Sequence, residues 1–103
     1  MIVRFAPEAS DYIRREAAYL RQHSTHAAPV FLSRMRAVAR DLSDFARAGF
    51  PDVDQPVQGM RRLVRHGYRI EYMIEHDELW ILDVSSSVNV PLQSPDDLDD
   101  YEV

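Results

Sequence analysis

The apolar residues of this chain change period once. Between residues 7 and 46 they recur every three or four positions, and between 60 and 85 they alternate. The first pattern is that of helices with one apolar face, the second that of half-buried strands. Ala9, Tyr12, Ile13, Ala17 and Leu20 mark a first helix, with Asp11, Arg14, Arg15 and Arg21 on its other side. Pro7 suits its first turn, where a missing N–H costs nothing. Gln22-His23-Ser24-Thr25 interrupts the period, and Ser24 or Thr25 is expected to cap the next helix. That helix carries Ala28, Phe31, Leu32, Met35, Val38, Leu42, Phe45 and Ala46 inward, and Arg34, Arg36, Arg40, Asp41, Asp44 and Arg47 outward. Pro29 falls in its first turn, and Gly49 followed by Phe50-Pro51 is the expected stop. So short a break predicts an antiparallel helical hairpin.

Ile2-Val3-Arg4-Phe5 reads as a short strand before the helices, and residues 52–59 as a loop after them. Met60–Arg65 and Tyr68–Glu75 flank His66-Gly67, a two-residue hairpin signal. A third strand over 79–85 follows a turn at His76-Asp77. The expected fold is α+β: a short N-terminal strand, a helical hairpin, then a three-stranded antiparallel sheet, in the order β-α-α-β-β-β. Residues 1–90 form one domain in this reading and 91–103 an acidic, irregular tail. Two-residue turns set Leu63 opposite Ile70, Arg62 opposite Glu71, Tyr72 opposite Ile81 and Met73 opposite Trp80. One face then holds Leu63, Tyr68, Ile70, Tyr72, Ile74, Leu79 and Ile81 and packs on the helices. The other holds Met60, Arg62, Val64, Arg69, Glu71, Met73, Trp80, Leu82 and Val84. That mixture of Trp, Met and Arg is too apolar for open water. Two readings stand: it binds another protein, or the tail folds back over it.

Charge narrows the function classes. The net charge is −5, but Asp96, Asp97, Asp99, Asp100 and Glu102 supply all of it, so the first 95 residues are neutral. A neutral body does not suggest a broad nucleic-acid surface. All 12 basic residues are Arg, the side chain better shaped for bidentate contacts to carboxylates and phosphates. Cysteine is absent, which excludes disulfides and thiolate metal sites. No apolar run approaches the roughly 20 residues of a membrane span. Residues 1–5 lead into no signal-peptide apolar region, and a cytoplasmic protein is expected.

Motifs for phosphate loops, dinucleotides, nucleophile elbows and metal clusters are missing from the sequence, so no catalytic residue, metal or cofactor is assigned. His23 and His26 stand at a helix junction, His66 and His76 in turns, and Ser85-Ser86-Ser87 has no evident base. The candidate site is Arg61, Arg62, Arg65 and Arg69 beside Met73, Trp80 and Leu82. Clustered guanidinium groups repel unless acids compensate, and Glu71 can offset one of them through Arg62. The other guanidinium groups would meet a partner's carboxylates or phosphates, or simply be solvated at the sheet edge.

Phe5-Ala6-Pro7-Glu8-Ala9, the long second helix, Phe50-Pro51, Gly59-Met60-Arg61-Arg62-Leu63-Val64, Tyr68-Arg69-Ile70-Glu71-Tyr72 and Leu79-Trp80-Ile81-Leu82-Asp83-Val84 come in a telling order. Over residues 2–85 the chain resembles the ParE/RelE toxin superfamily of type II toxin–antitoxin systems. The resemblance implies a toxin bound by a cognate, ParD-like antitoxin in a hetero-oligomer. ParE-like members poison DNA gyrase without enzymatic turnover, and RelE-like members cleave messenger RNA on the ribosome. The long helical hairpin and neutral body resemble ParE more. Family members often carry a His, with an Arg soon after, at the end of the last strand. Here that place reads Ser85-Ser86-Ser87-Val88-Asn89, without the general acid–base candidate a nuclease would use. A member that only binds its antitoxin is the third implied alternative.

Overall fold

A computed structural model describes residues 1–51 and 59–87. The tail expected over 91–103 and most of the expected loop at 52–59 lie outside the described residues. The elements are β1 (Ile2–Phe5), α1 (Pro7–His23), α2 (Ala27–Asp44), β2 (Phe50–Pro51), β3 (Met60–Arg65), β4 (Tyr68–Glu75) and β5 (Glu78–Ser86). They form a helical hairpin on one face of a sheet, as the change of period requires. The sheet has five strands rather than three, in the order β1-β5-β4-β3-β2. β1 joins one edge in parallel with β5, Val3 against Leu79 and Phe5 against Ile81, while the two-residue β2 pairs antiparallel with β3 at the other edge. Both edge strands depend on partners distant in sequence, so local pattern alone could not enrol them.

Pro7 opens α1 at its first position, Glu8 lies in the first turn, and Arg21 and His23 in the last, the arrangement that complements a helix dipole. Ser24 accepts a hydrogen bond from the backbone N–H of His26 at 3.2 Å. It therefore orders the turn between the helices, and no side chain caps α2 itself. α2 ends at Asp44, five residues before the expected stop at Gly49. Phe45, expected inside, is the last helix's C-cap and 69% exposed.

The core has two layers. Phe31, Met35, Val38 and Leu42 of α2, with Ala9 and Ala17 of α1, meet Leu63, Ile70, Tyr72, Leu79, Ile81 and Val84 of the sheet. The alanines on the inner side of α1 leave room for it to lie close to β5 and β1. Both hairpin registers match the sequence expectation: Leu63 faces Ile70, Arg62 faces Glu71, and Met73 faces Trp80. The register slips once, because Tyr72 pairs with Ile81 but Glu71 with Asp83. Leu82 is the extra residue of that β-bulge. The bulge reverses the alternation beyond it, so Val84 turns into the core instead of lying beside Trp80 on the far face.

Candidate protein-binding face

The side of the sheet away from the helices can be read in rows across the strands. Val64, Arg69 and Ser85 form the first row; Phe50, Arg62, Glu71 and Asp83 the second; Met60, Met73, Trp80 and Arg4 the third. Phe50 is 80% exposed and Val64 53%, while Met73, Trp80 and Leu82 are half-buried and Met60 is buried. Several of its charges pair within the face. Arg69 Nε lies 3.7 Å from a carboxylate oxygen of Glu71, itself only 7% exposed. Arg4 Nε contacts Glu78 at 3.1 Å and its guanidinium stands 5.9 Å above the Trp80 ring, a cation–π distance. The Trp80 indole N–H donates to the same Glu78 carboxylate at 3.2 Å. Arg4, Arg62 and Arg69 thus share the face with Glu71, Glu75, Glu78 and Asp83, three cations among four acids. An excess of acid disfavours a phosphate backbone, and what the face offers is apolar contact framed by oriented charge.

The four arginines expected to act together are divided by the pleat. Arg62 and Arg69 lie on the open face. Arg61 and Arg65 share the parity of buried Leu63 and turn to the helix side. Arg61 Nη2 donates to the carbonyls of Gly49 at 2.6 Å and Arg47 at 3.2 Å. It holds the chain just past α2, where main-chain carbonyls have left the helix ladder. Arg65 meets Asp41 of α2 at 3.6 Å, a surface pair of small energetic weight. Sequence reasoning included these two because they are neighbours in the chain. It missed Arg4, Glu78 and Phe50, which reach the open face through β1, the start of β5 and β2. Their alternation with inward Val3 and Phe5, and with Leu79, is the signal that could have found the first two.

Opposite ends of the site are braced by tyrosines. The fully buried Tyr72 hydroxyl donates to the Ala46 carbonyl at 2.8 Å and accepts from the Gly49 N–H at 2.9 Å. Gly49 is required there by close approach, since a Cβ would stand 2.6 Å from the Arg62 carbonyl and 2.9 Å from the Tyr72 ring. At the other end the Tyr68 hydroxyl donates to Glu16 of α1 at 2.6 Å, with Tyr12 and Phe31 edge-on and tilted against its ring. Burial, then the Glu16 carboxylate, push the Tyr12 phenol up to about 12, and burial with the Glu16 hydrogen bond raises Tyr68 well above the usual tyrosine range. The Tyr68 phenol is a structural donor to Glu16, and Tyr12 supports it through the ring contact.

Among the described residues no three His, Asp or Glu side chains converge as a metal site. His23 packs on Tyr19 with ring centres 4.5 Å apart, and His66 and His76 occupy turns with φ of 57° and 56°. The Ser85 hydroxyl is buried with no hydrogen-bond partner.

A family model described as the ParE toxin of type II toxin–antitoxin systems, parDE, matches residues 3–90. The chain belongs to the ParE toxin family. Its fold agrees with that membership. The toxin–antitoxin complex RelBE2 from Mycobacterium tuberculosis contains a chain 26% identical to this ParE-family protein, with a TM-score of 0.58 over 82% of this chain and 88% of that one. The chromosomal ParDE toxin–antitoxin system from P. aeruginosa contains a chain 14% identical, with a TM-score of 0.54 over 84% and 95%, a likeness of fold. No curated protein sequence matches. Among the described residues of this family member, no helix is long and apolar enough to cross a membrane.

Proposed function

We propose that this ParE-family chain is a cytoplasmic, non-enzymatic toxin that inhibits DNA gyrase and is neutralised by a cognate, ParD-like antitoxin. The open sheet face carries the reading. Its exposed Phe50 and Val64 lie beside internally paired charges, with more acid than base, which suits a protein surface and disfavours an RNA backbone. The M. tuberculosis and P. aeruginosa relatives are toxin–antitoxin systems, which supports an antitoxin as partner. In this reading the antitoxin covers Phe50, Met73, Trp80 and Leu82 and aligns its own charges with Arg62 and Arg69. Arg61 and Arg65 hold the neighbouring α2 exit in shape.

Induction without antitoxin is expected to trap gyrase–DNA cleavage complexes and raise the DNA-damage response. Growth arrest with normal supercoiling would refute gyrase as target. New codon-specific 5′ ends in messenger RNA would instead establish the ribosome-dependent nuclease. Arg62→Glu or Arg69→Glu is expected to weaken antitoxin binding at least several-fold in a calorimetric titration, and unchanged affinity removes that arginine from the interface.

A further inference from the structure

Cations are concentrated on the helix side, away from the open face. Between residues 7 and 47 lie seven arginines and five acids, and Arg61 and Arg65 turn to the same side, a surplus of four positive charges. Within this layer, where α1, α2 and β1 meet, is an apolar groove of about 370 Å³. Phe5, Ile13, Leu32, Met35 and Ala39 line it, and Arg14 and Arg36 stand at its rim. Both arginines are exposed, and Arg14 pairs with Asp11 one turn away, a solvated contact readily exchanged. Among the described residues Arg36 has no ion-pair partner.

The charge that complements this layer lies in the chain itself. Residues 96–103 read Asp-Asp-Leu-Asp-Asp-Tyr-Glu-Val, five acids interleaved with Leu98, Tyr101 and Val103. They lie beyond residue 90, where the family match ends. The last described residues place their origin close by. Ser87 N–H donates to the Gly67 carbonyl at 2.9 Å, next to Tyr68, whose ring meets the Tyr12 ring of α1 edge-on. Tyr12 precedes Ile13 and Arg14, so the chain leaves the sheet beside the helix whose next residues line the groove. From Ser87 to Asp96 is nine residues, a reach of about 30 Å when extended. That is about twice the path of roughly 16 Å around one side of a helix of about 10 Å diameter.

We propose that the acidic run 96–103 docks in cis on the α1–α2 groove, its acids against Arg14 and Arg36 and Leu98 and Tyr101 on Phe5, Ile13, Leu32 and Met35. The open face, where the partner is placed above, would stay free of the tail. The docking therefore stands whether or not the partner assignment does. It holds most tightly at low ionic strength and loosens with salt, because the rim charges are exposed.

The absence of cysteine allows a clean test in the full chain. Gln93→Cys carries a nitroxide, and the amide signals of the labelled protein are followed by NMR. Expected is selective broadening around Ile13, Arg14, Leu32 and Arg36 at low salt. It should disappear at high salt, in Arg14→Glu/Arg36→Glu, and in a variant with all five tail acids changed to their amides. The last change leaves the folded domain untouched, so its effect cannot arise from misfolding. Broadening centred on Arg69 and Ser85 would overturn the proposal by placing the tail on the sheet. Uniform weak broadening, indifferent to salt and to the amide variant, would overturn it by leaving the groove to another occupant.

Discussion

Tyr72 and Gly49 act as one unit. The phenol sits at the centre of the core yet satisfies two main-chain groups of the segment that follows α2, and Gly49 lets that segment pass against the Tyr72 ring and the β3 backbone. Tyr72→Phe would keep the packing and leave a buried N–H and a carbonyl short of a partner. It is expected to lower stability by about 2 kcal/mol in urea unfolding, with little change in slope. Gly49→Ala forces overlap with backbone rather than with a mobile side-chain end, and a loss of about 1–3 kcal/mol is expected. The opposite sign is expected at His66. Its φ of 57° is a left-handed conformation paired with Gly67 at 81°, the geometry that Asn-Gly favours in a two-residue hairpin. His66→Asn should raise the unfolding midpoint, a gain of about 0.5–1 kcal/mol.

Between elements, the Tyr12–Tyr68–Glu16 contact joins α1 to β4, and its hydrogen bond depends on the Tyr68 phenol keeping its proton. The folded-state values of both phenols are raised above the ordinary tyrosine value of 10. The stabilisation is therefore complete below about pH 10 and is lost as pH rises through the folded values, near 12 for Tyr12. Stability measured from pH 9 upward should fall as phenolate absorbance appears, and Tyr68→Phe should flatten that fall. An equally steep loss in Tyr68→Phe would assign the alkaline transition elsewhere. The bulge at Leu82 acts at the same scale. By inserting one residue between Ile81 and Asp83 it sends Val84 inward and puts Asp83 and Ser85 on the open face. A strictly alternating reading of 79–85 gets the first half right and inverts the second, since nothing in Leu82-Asp83-Val84 announces the slip.

Across the whole molecule, the two sides of the sheet differ in kind. The helix side is cationic with an apolar groove, and the open side is apolar with ion pairs and a slight excess of acid. If the antitoxin takes the open side, Phe50→Ala should weaken its binding by about tenfold, the cost of removing an exposed aromatic from an interface. Titration of the variant checks this, and unchanged affinity would move the contact off β2. Periodicity alone was enough for the two helices, the two hairpins with their registers, and the inward set from Ala9 to Ile81 except Phe45, because these depend on neighbours three, four or a few residues apart. The parallel pairing of β1 at one edge, the two-residue β2 at the other, the early end of α2, the bulge, and the division of the four arginines between opposite faces rest on contacts between distant parts of the chain. Arg61 has the same composition and nearly the same position as Arg62. Only the pleat, and the Gly49 carbonyl folded up against it, make one a brace for the helix exit and the other part of a binding face.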